Sequence, residues 1–245
     1  MPEVSTRRGA NFPETRWSKI ARLSDRSPGS PEAGQALAEL CELYWFPLYA
    51  FARRTGYAKH DAEDLTQAFF ERLVDRKLFA QADRQRGRLR SFLLGVFRNF
   101  LNEQARNAHR LKRGGGRQFV PLDAAEAEAV YEVELTNSAS PEEQFERSWA
   151  RMILQNALSA LEREYRARGQ QLVFDVLHPA LTLDGAPPIQ ANSQALGISP
   201  GAVRVSIHRL RQRFRRLLHE QIAETVASPQ EVEDELRHLG RALAT

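Results

Sequence analysis

Apolar residues recur every three or four positions along most of this chain, which is the spacing of an amphipathic α-helix. The clearest stripe lies within Gly87–Arg117 and comprises Leu89, Phe92, Leu93, Val96, Phe97, Phe100 and Leu101. A second stripe runs from Ala62 to Leu73, and a third runs from Phe145 to Tyr165. The pattern predicts an all-α protein.

Helix start signals agree with these stripes. Ser30-Pro31 has the form of an N-cap residue followed by a proline at the first helical position. A second helix should begin at His60 or Asp61, and Ser140-Pro-Glu-Glu143 is a capping box that should begin a long helix. Pro47 is expected to break or kink the first helix, because proline lacks the backbone N–H.

A helix-turn-helix pattern is present near the end of the chain. Ile189–Leu196 and Pro200–Leu217 are predicted helices, and Gly197 and Ser199 supply a permissive turn residue and an N-cap. Six arginines and no acid occur in the second of these helices. Such helices contact bases mainly through their N-terminal turns. The predicted DNA-binding residues here are Ser199, Arg204, Ser206 and His208, with Arg209, Arg211 and Arg213 mainly on phosphates.

Charge is segregated along the chain, although the net charge is only +4. From Arg84 to Arg117 there are ten Arg or Lys and one acid, whereas Gln118–Glu146 contains eight acids and no Lys or Arg. A basic surface matches a phosphate backbone, and an acidic block after a glycine run is typical of a linker.

We therefore predict two small helical domains joined by an acidic flexible linker. The predicted segments are a flexible arm (1–15), a first domain (16–111), the linker (112–139), a helix-turn-helix domain (140–222) and an acidic tail (223–245). The tail is either a docking helix or a cap.

Composition and spacing exclude several classes of protein. The single cysteine, Cys41, rules out an internal disulfide, and its apolar surroundings favour a buried hydrophobe over a catalytic thiol. No apolar run approaches the roughly 20 residues of a membrane span, so a soluble cytoplasmic protein is expected. His60, Asp61 and Asp64 lack a second histidine, and the triple glycine lacks the Lys-Ser/Thr of a phosphate-binding loop. We expect no metal, no cofactor and no catalytic residue.

Two segments carry a family resemblance. Residues 61–70, DAEDLTQAFF, followed by residues 87–94, GRLRSFLL, and by Asn99, resemble conserved region 2 of the extracytoplasmic-function (ECF) type of sigma-70 family sigma factors. The helix-turn-helix resembles region 4 of the same family, and the tandem order of the two regions strengthens the resemblance. The resemblance implies a sigma factor that binds core RNA polymerase and directs it to promoter DNA through minus-10 and minus-35 elements.

The resemblance also implies roles for individual residues. The helix that docks on the polymerase clamp would present Asp61, Asp64, Leu65, Gln67, Phe70 and Glu71. The following basic helix, which opens and reads the minus-10 element, would use Arg88, Arg90, Phe92, Asn99, Asn102, Arg106 and Arg110. Phe70 and Phe92 also fit the buried stripes, so packing and partner contact both remain open for them.

Two other functions remain open from the residues alone. A stand-alone helix-turn-helix regulator would not bind polymerase and would prefer to be a dimer on a palindrome. The chain has no heptad or dimerisation helix, so we expect a monomer. A nuclease or phosphotransferase built on the acidic helix would need carboxylate partners that the rest of the sequence does not offer. Control by an anti-sigma protein or another regulator is also left open.

Overall fold

The computed structural model describes residues 31–75, 88–108, 131, 139–181, 187–226 and 228–244. Within these ranges the chain is helical and contains no β-strand, so the predicted all-α class is confirmed. The elements in chain order are α1 (Pro31–Arg54), α2 (Lys59–Asp75), α3 (Leu89–Ala108), α4 (Pro141–Ala167), α5 (Gln171–Leu177), a 3₁₀ turn (His178–Leu181), α6 (Ile189–Leu196), α7 (Pro200–Ala223) and α8 (Pro229–Ala244). The predicted N-terminal arm, Ser30 and Arg110 lie outside the described residues, as does nearly all of the predicted linker.

The first hydrophobic core is formed by α1, α2 and α3 together with α8, the first half of α4 and the C-terminal end of α7. Aromatic side chains fill its centre: Phe69 of α2 lies edge-on to Phe97 of α3, with ring centroids 4.9 Å apart. Both rings are 0% exposed, as the helical stripes predicted. Cys41 is also buried in this core, and this burial raises the pKa of its thiol to about 12. The cysteine is therefore a core residue, as expected.

The structure excludes one of the two effects expected of Pro47, a break in α1. Pro47 does not end the helix, which continues from Pro31 to Arg54. Proline removes one helical hydrogen bond. The residues on both sides of it are buried, and Tyr44, Leu48 and Tyr49 are 0% exposed. Burial of these large apolar side chains outweighs the lost bond and keeps the helix continuous.

The second hydrophobic core lies under the helix-turn-helix. It contains Leu161 of α4, Phe174 and Leu177 of α5, and Val203 and Leu210 of α7, all of which are buried. The second half of α4 and the helices α5 to α7 enclose this core. The helix-turn-helix thus rests on apolar side chains that come from the preceding helices.

Helix α4 contributes to both cores. Phe145, Trp149 and Ile153 in its first half are buried in the first core, whereas Leu161 and Tyr165 belong to the second. The helix begins at the predicted capping box. Ser140 Oγ accepts from the backbone N–H of Glu143 at 3.2 Å, and Glu143 Oε2 accepts from the backbone N–H of Ser140 at 2.8 Å. The hydrogen bond from the Ser140 backbone N–H, and after it one from the Ser140 side chain, lower the pKa of the Glu143 carboxyl.

Tyr131 is a described residue within the segment predicted to be the linker. Its side chain is 3% exposed and belongs to the first core. The ring lies edge-on to Tyr49, with centroids 6.3 Å apart, and the Arg53 guanidinium lies 4.9 Å from the ring centroid. At this position the chain is therefore packed against α1.

Candidate functional site

The turn between α6 and α7 is fixed by local hydrogen bonds. Gly197 has a left-handed backbone with φ of 64°, a conformation that favours glycine. Ser193 Oγ donates to the Ile198 carbonyl at 2.6 Å, and Ser199 Oγ accepts from the Ala202 backbone N–H at 3.2 Å. The predicted bounds of α6 are confirmed, whereas α7 runs to Ala223, beyond the predicted Leu217. These bonds set the start and direction of α7.

The N-terminal half of α7 presents an exposed face of mixed chemistry. Val203 and Ile207 are buried against the second core. The exposed face, which we call the α7 face, consists of Arg204, Val205, His208 and Arg209. The predicted residue Ser206 is half-buried beside it. The three charged or polar residues of this face were predicted from the sequence.

Sequence reasoning missed Val205, which is 49% exposed on the α7 face. Val205 directly follows Arg204 and precedes Arg209 by four residues, so helical spacing places it on the same side of the helix as these arginines. This spacing was the signal in the sequence that could have identified it. An exposed valine can make an apolar contact with a thymine methyl group, whereas the neighbouring arginines are suited to polar contacts.

Two of the predicted phosphate-binding arginines of α7 have partners within the protein. Arg211 donates to the Ala180 carbonyl through Nε at 3.0 Å and Nη2 at 2.7 Å. Arg213 donates to both carboxylate oxygens of Glu164 on α4 and, at 3.3 Å, to Glu220. The hydrogen bond with Arg213 lowers the pKa of Glu164, and the same bond raises the pKa of Arg213. Both arginines fix α7 to its neighbours, and a phosphate would compete with these contacts.

A second exposed face lies on α3. Asn99, Asn102 and Arg106 are all exposed, and their spacing places them along one side of the helix. Arg106 Nε donates to the Asn102 carbonyl at 3.1 Å. We call these three residues the α3 face. The structure brings these three residues, which the family resemblance singled out, together on one surface that presents two amides and a guanidinium.

The remaining predicted DNA-binding residues of α3 lie elsewhere. Phe92 is half-buried against the first core. Arg90 is 3% exposed and donates through Nε to Glu235 of α8 at 2.6 Å, and it also pairs with Glu146 of α4. Arg88, just before α3, also pairs with Glu235, at 2.9 Å. In this structure both arginines pair with protein carboxylates, and a DNA contact by the buried Arg90 would require its pairs to open.

The outer side of α2 carries the acidic residues predicted to face polymerase. Asp61 and Asp64 are exposed, and Leu65, Gln67 and Glu71 are half-buried, with Gln67 Nε2 donating to Glu71 Oε1 at 3.2 Å. These five residues form what we call the α2 face. Its acidic members are accessible to a partner.

Phe70 differs from the other predicted residues of α2. Its side chain is 4% exposed, and its ring lies edge-on to Phe69, with centroids 5.8 Å apart. In this structure Phe70 is a packing residue beneath the α2 face. This burial corresponds to the packing alternative of the two that the sequence left open for Phe70.

Two searches of the described residues concern other kinds of site. No group of three or more His, Cys, Asp or Glu side chains in this part of the chain is arranged to hold a metal ion. None of the helices described above is both long enough and apolar enough to cross a membrane.

A helix-turn-helix whose second helix has an exposed basic face is typical of DNA-binding proteins that act in transcription. In this chain it is joined to a helical bundle that carries a second polar face. The family model for ECF sigma factors matches residues 34–220, and the chain belongs to that family. Its role is therefore that of a sigma factor in transcription initiation. The matched region spans most of α1 and all of α2 to α6, and it ends within α7 before α8. No curated protein and no solved structure shows a significant match to this chain.

Proposed function

We propose that this sigma factor binds core RNA polymerase through the α2 face and recognises promoters through the α3 and α7 faces. The observation that carries the proposal is the α7 face. A cap and a glycine turn fix α7, and its N-terminal half leaves Arg204, Val205, His208 and Arg209 exposed. Recognition helices insert this part into the major groove, so the α7 face would contact the minus-35 element.

The α3 face is suited to the minus-10 element. The amides of Asn99 and Asn102 can pair with base edges, including those of unpaired bases, and Arg106 can contact a phosphate. Ser206, Arg211 and Arg213 would support the α7 contacts from its flanks, and Ser199 would act as the cap. Arg90 would join the DNA contacts only in a conformation that opens its pairs with Glu235 and Glu146, and Arg88 would gain its Nε donor when Glu235 leaves. Phe92 would pack beside the α3 face, and Arg110 would extend its charge.

The α2 face would provide the polymerase contact. Asp61 and Asp64 are exposed carboxylates that suit a basic surface on the polymerase, and Gln67 and Glu71 extend the same side of the helix. Leu65 would supply a small apolar contact at the edge, and Phe70 would support the face from below. The polymerase carries out bond formation, so the proposed role needs no catalytic residue in this chain.

The experiment that tests this function measures retention of purified protein on immobilised bacterial core RNA polymerase. Asp61→Arg/Asp64→Arg should abolish retention, because both charges of the α2 face are reversed. Glu39→Arg/Glu42→Arg is the matched control, since it reverses two acids with the same spacing on α1. Retained wild-type and control proteins should also support promoter-dependent transcription. If neither wild type nor control binds core enzyme while duplex DNA is still bound, the chain acts as a stand-alone regulator and the proposal is wrong.

A further inference from the structure

A buried carboxylate joins the C-terminal helix to the two arginines at the start of α3. Glu235 of α8 is 0% exposed. Its carboxylate forms an ion pair with Arg88, 2.9 Å from Nε, and accepts hydrogen bonds from Arg90 Nε at 2.6 Å and Arg90 Nη2 at 3.2 Å. The Arg90 guanidinium also lies 4.9 Å from the ring centroid of Trp149 on α4. One acid of α8 therefore occupies donors of both arginines.

Helix α8 is docked along its length, although it lies beyond the region that matches the family model. Val232 and Leu239, on either side of Glu235, are 1% and 4% exposed and belong to the first core. His238 Nε2 lies 2.8 Å from Glu146 Oε2 on α4. In this structure α8 is thus packed on the first core of its own chain.

The Glu235 carboxylate contacts the two arginines in the way that a DNA phosphate group would. A carboxylate and a phosphodiester both accept paired hydrogen bonds from a guanidinium, and arginine binds either group well. Arg88 and Arg90 lie at the start of the helix that carries the α3 face. DNA that approached this end of α3 would meet donors already bound to Glu235.

We propose that α8 is an intramolecular clasp that competes with DNA phosphates for Arg88 and Arg90, so that full DNA binding by α3 requires α8 to undock. This proposal rests on the proposed function, because it assumes that α3 contacts DNA. It adds a regulated state to that function, in which the chain covers part of its own DNA-binding surface.

The burial of the ion pairs makes this exchange a switch between two states. If Glu235 stayed in place while DNA took the arginines, a carboxylate with no exposed surface would be left without its partners, which is strongly unfavourable. Undocking of α8 avoids this cost, because the Glu235 carboxylate becomes hydrated when phosphates replace it as the partner of Arg88 and Arg90. The apolar side chains of α8 leave with it, so the helix moves as a unit.

The first test compares two variants that remove the same charge from the same helix. Glu235→Gln weakens the clasp, whereas Glu233→Gln alters an exposed acid of α8 and is the matched control. Fluorescence anisotropy would measure binding to random-sequence oligonucleotides, single-stranded and duplex, since phosphate contacts do not depend on sequence. We expect Glu235→Gln to tighten binding about fivefold and to steepen the log–log salt dependence by about 1 to 2, because each freed arginine releases about 0.9 counterion. Equal behaviour of the two variants would overturn the proposal.

Two further measurements separate a clasp from a general structural effect. In an Arg88→Gln background, Glu235→Gln should give at most half of its gain in affinity, because one of the released donors is missing. Hydrogen exchange on the unmodified protein gives an answer even if Glu235→Gln folds poorly. Saturating single-stranded oligonucleotide should speed exchange of the α8 amides while the α1 amides stay protected. Unchanged or slower exchange in α8 would show that the helix stays docked and that the clasp does not exist.

Failure of the clasp can be distinguished from failure of the proposed function. The core polymerase retention assay tests the function and does not depend on Glu235. If wild type binds polymerase and supports transcription, yet Glu235→Gln matches Glu233→Gln and α8 stays protected, only the clasp is wrong. If polymerase is not bound, while Glu235→Gln still tightens DNA binding through Arg88, the clasp regulates a stand-alone DNA-binding protein.

Discussion

Ser199 shows how one residue can be assigned to structure or to recognition. The sequence placed it both at the N-cap of α7 and among the DNA-binding residues. In the structure its hydroxyl accepts from the Ala202 backbone N–H at 3.2 Å, which satisfies a donor that the helix itself cannot pair. The side chain is exposed, so a phosphate could also reach it.

We predict that Ser199→Ala lowers the free energy of unfolding by about 1 kcal/mol, because the cap is lost. Ser199→Asp should keep the stability, since aspartate is an equally good cap, but should weaken DNA binding by placing an anion at the α7 face. Chemical denaturation and DNA-binding titrations of the two variants would check this. Full DNA affinity in Ser199→Asp would mean that the start of α7 does not approach DNA.

At the scale of elements, Arg213 and Glu164 connect α7 to α4. The pKa of Glu164 is lowered mainly by its hydrogen bond with Arg213, so the folded state favours the charged carboxylate. This contribution to stability is fully present above the unfolded-state pKa, about 4.3, and is lost as pH falls through the lower native pKa. The pair is partly exposed and contributes up to about 1 kcal/mol at neutral pH.

We therefore predict that Glu164→Gln destabilises the protein at pH 7 and that its deficit shrinks below about pH 4, where wild type loses the charge as well. Urea unfolding followed across this pH range would measure the difference. Glu162→Gln is the control, because Glu162 pairs with exposed Arg166 on the same helix and leaves α7 untouched. A deficit that stayed constant with pH would exclude the ion pair as its cause.

The elements also show what sequence can and cannot predict. The bounds of α6, the capping box of α4 and the start of α7 at Ser199 follow from local rules about turns and caps, and each was predicted. The α7 face followed from helical periodicity, apart from Val205, because an apolar residue is normally assigned to a core. Glu235 and Arg90 lie 145 residues apart. No local pattern signals such a contact, so the sequence, which predicted that Arg90 contacts DNA, could not show that its side chain is buried against Glu235.

At the scale of the whole molecule, α4 is a helix shared by the two cores. The sequence predicted two domains on a flexible linker, with the second starting at residue 140. In the structure the first half of α4, which this boundary assigns to the second domain, is buried against α1. Ile153 lies in this half and is 0% exposed, while Leu161, two turns further, supports the helix-turn-helix. Loss of α4 from one core would therefore expose part of the other.

We predict that Ile153→Ala lowers the free energy of unfolding by about 2 to 5 kcal/mol, as expected for a cavity at a fully buried isoleucine. Because α4 is shared, exchange protection should fall by the same amount in α1 and in α7, and both should be lost in one transition. Leu172→Ala is the control, since Leu172 is 61% exposed on α5 and should change stability by less than about 0.5 kcal/mol. If α7 kept its protection while α1 lost it, the cores would fold independently, and the helix-turn-helix could separate from the rest without unfolding.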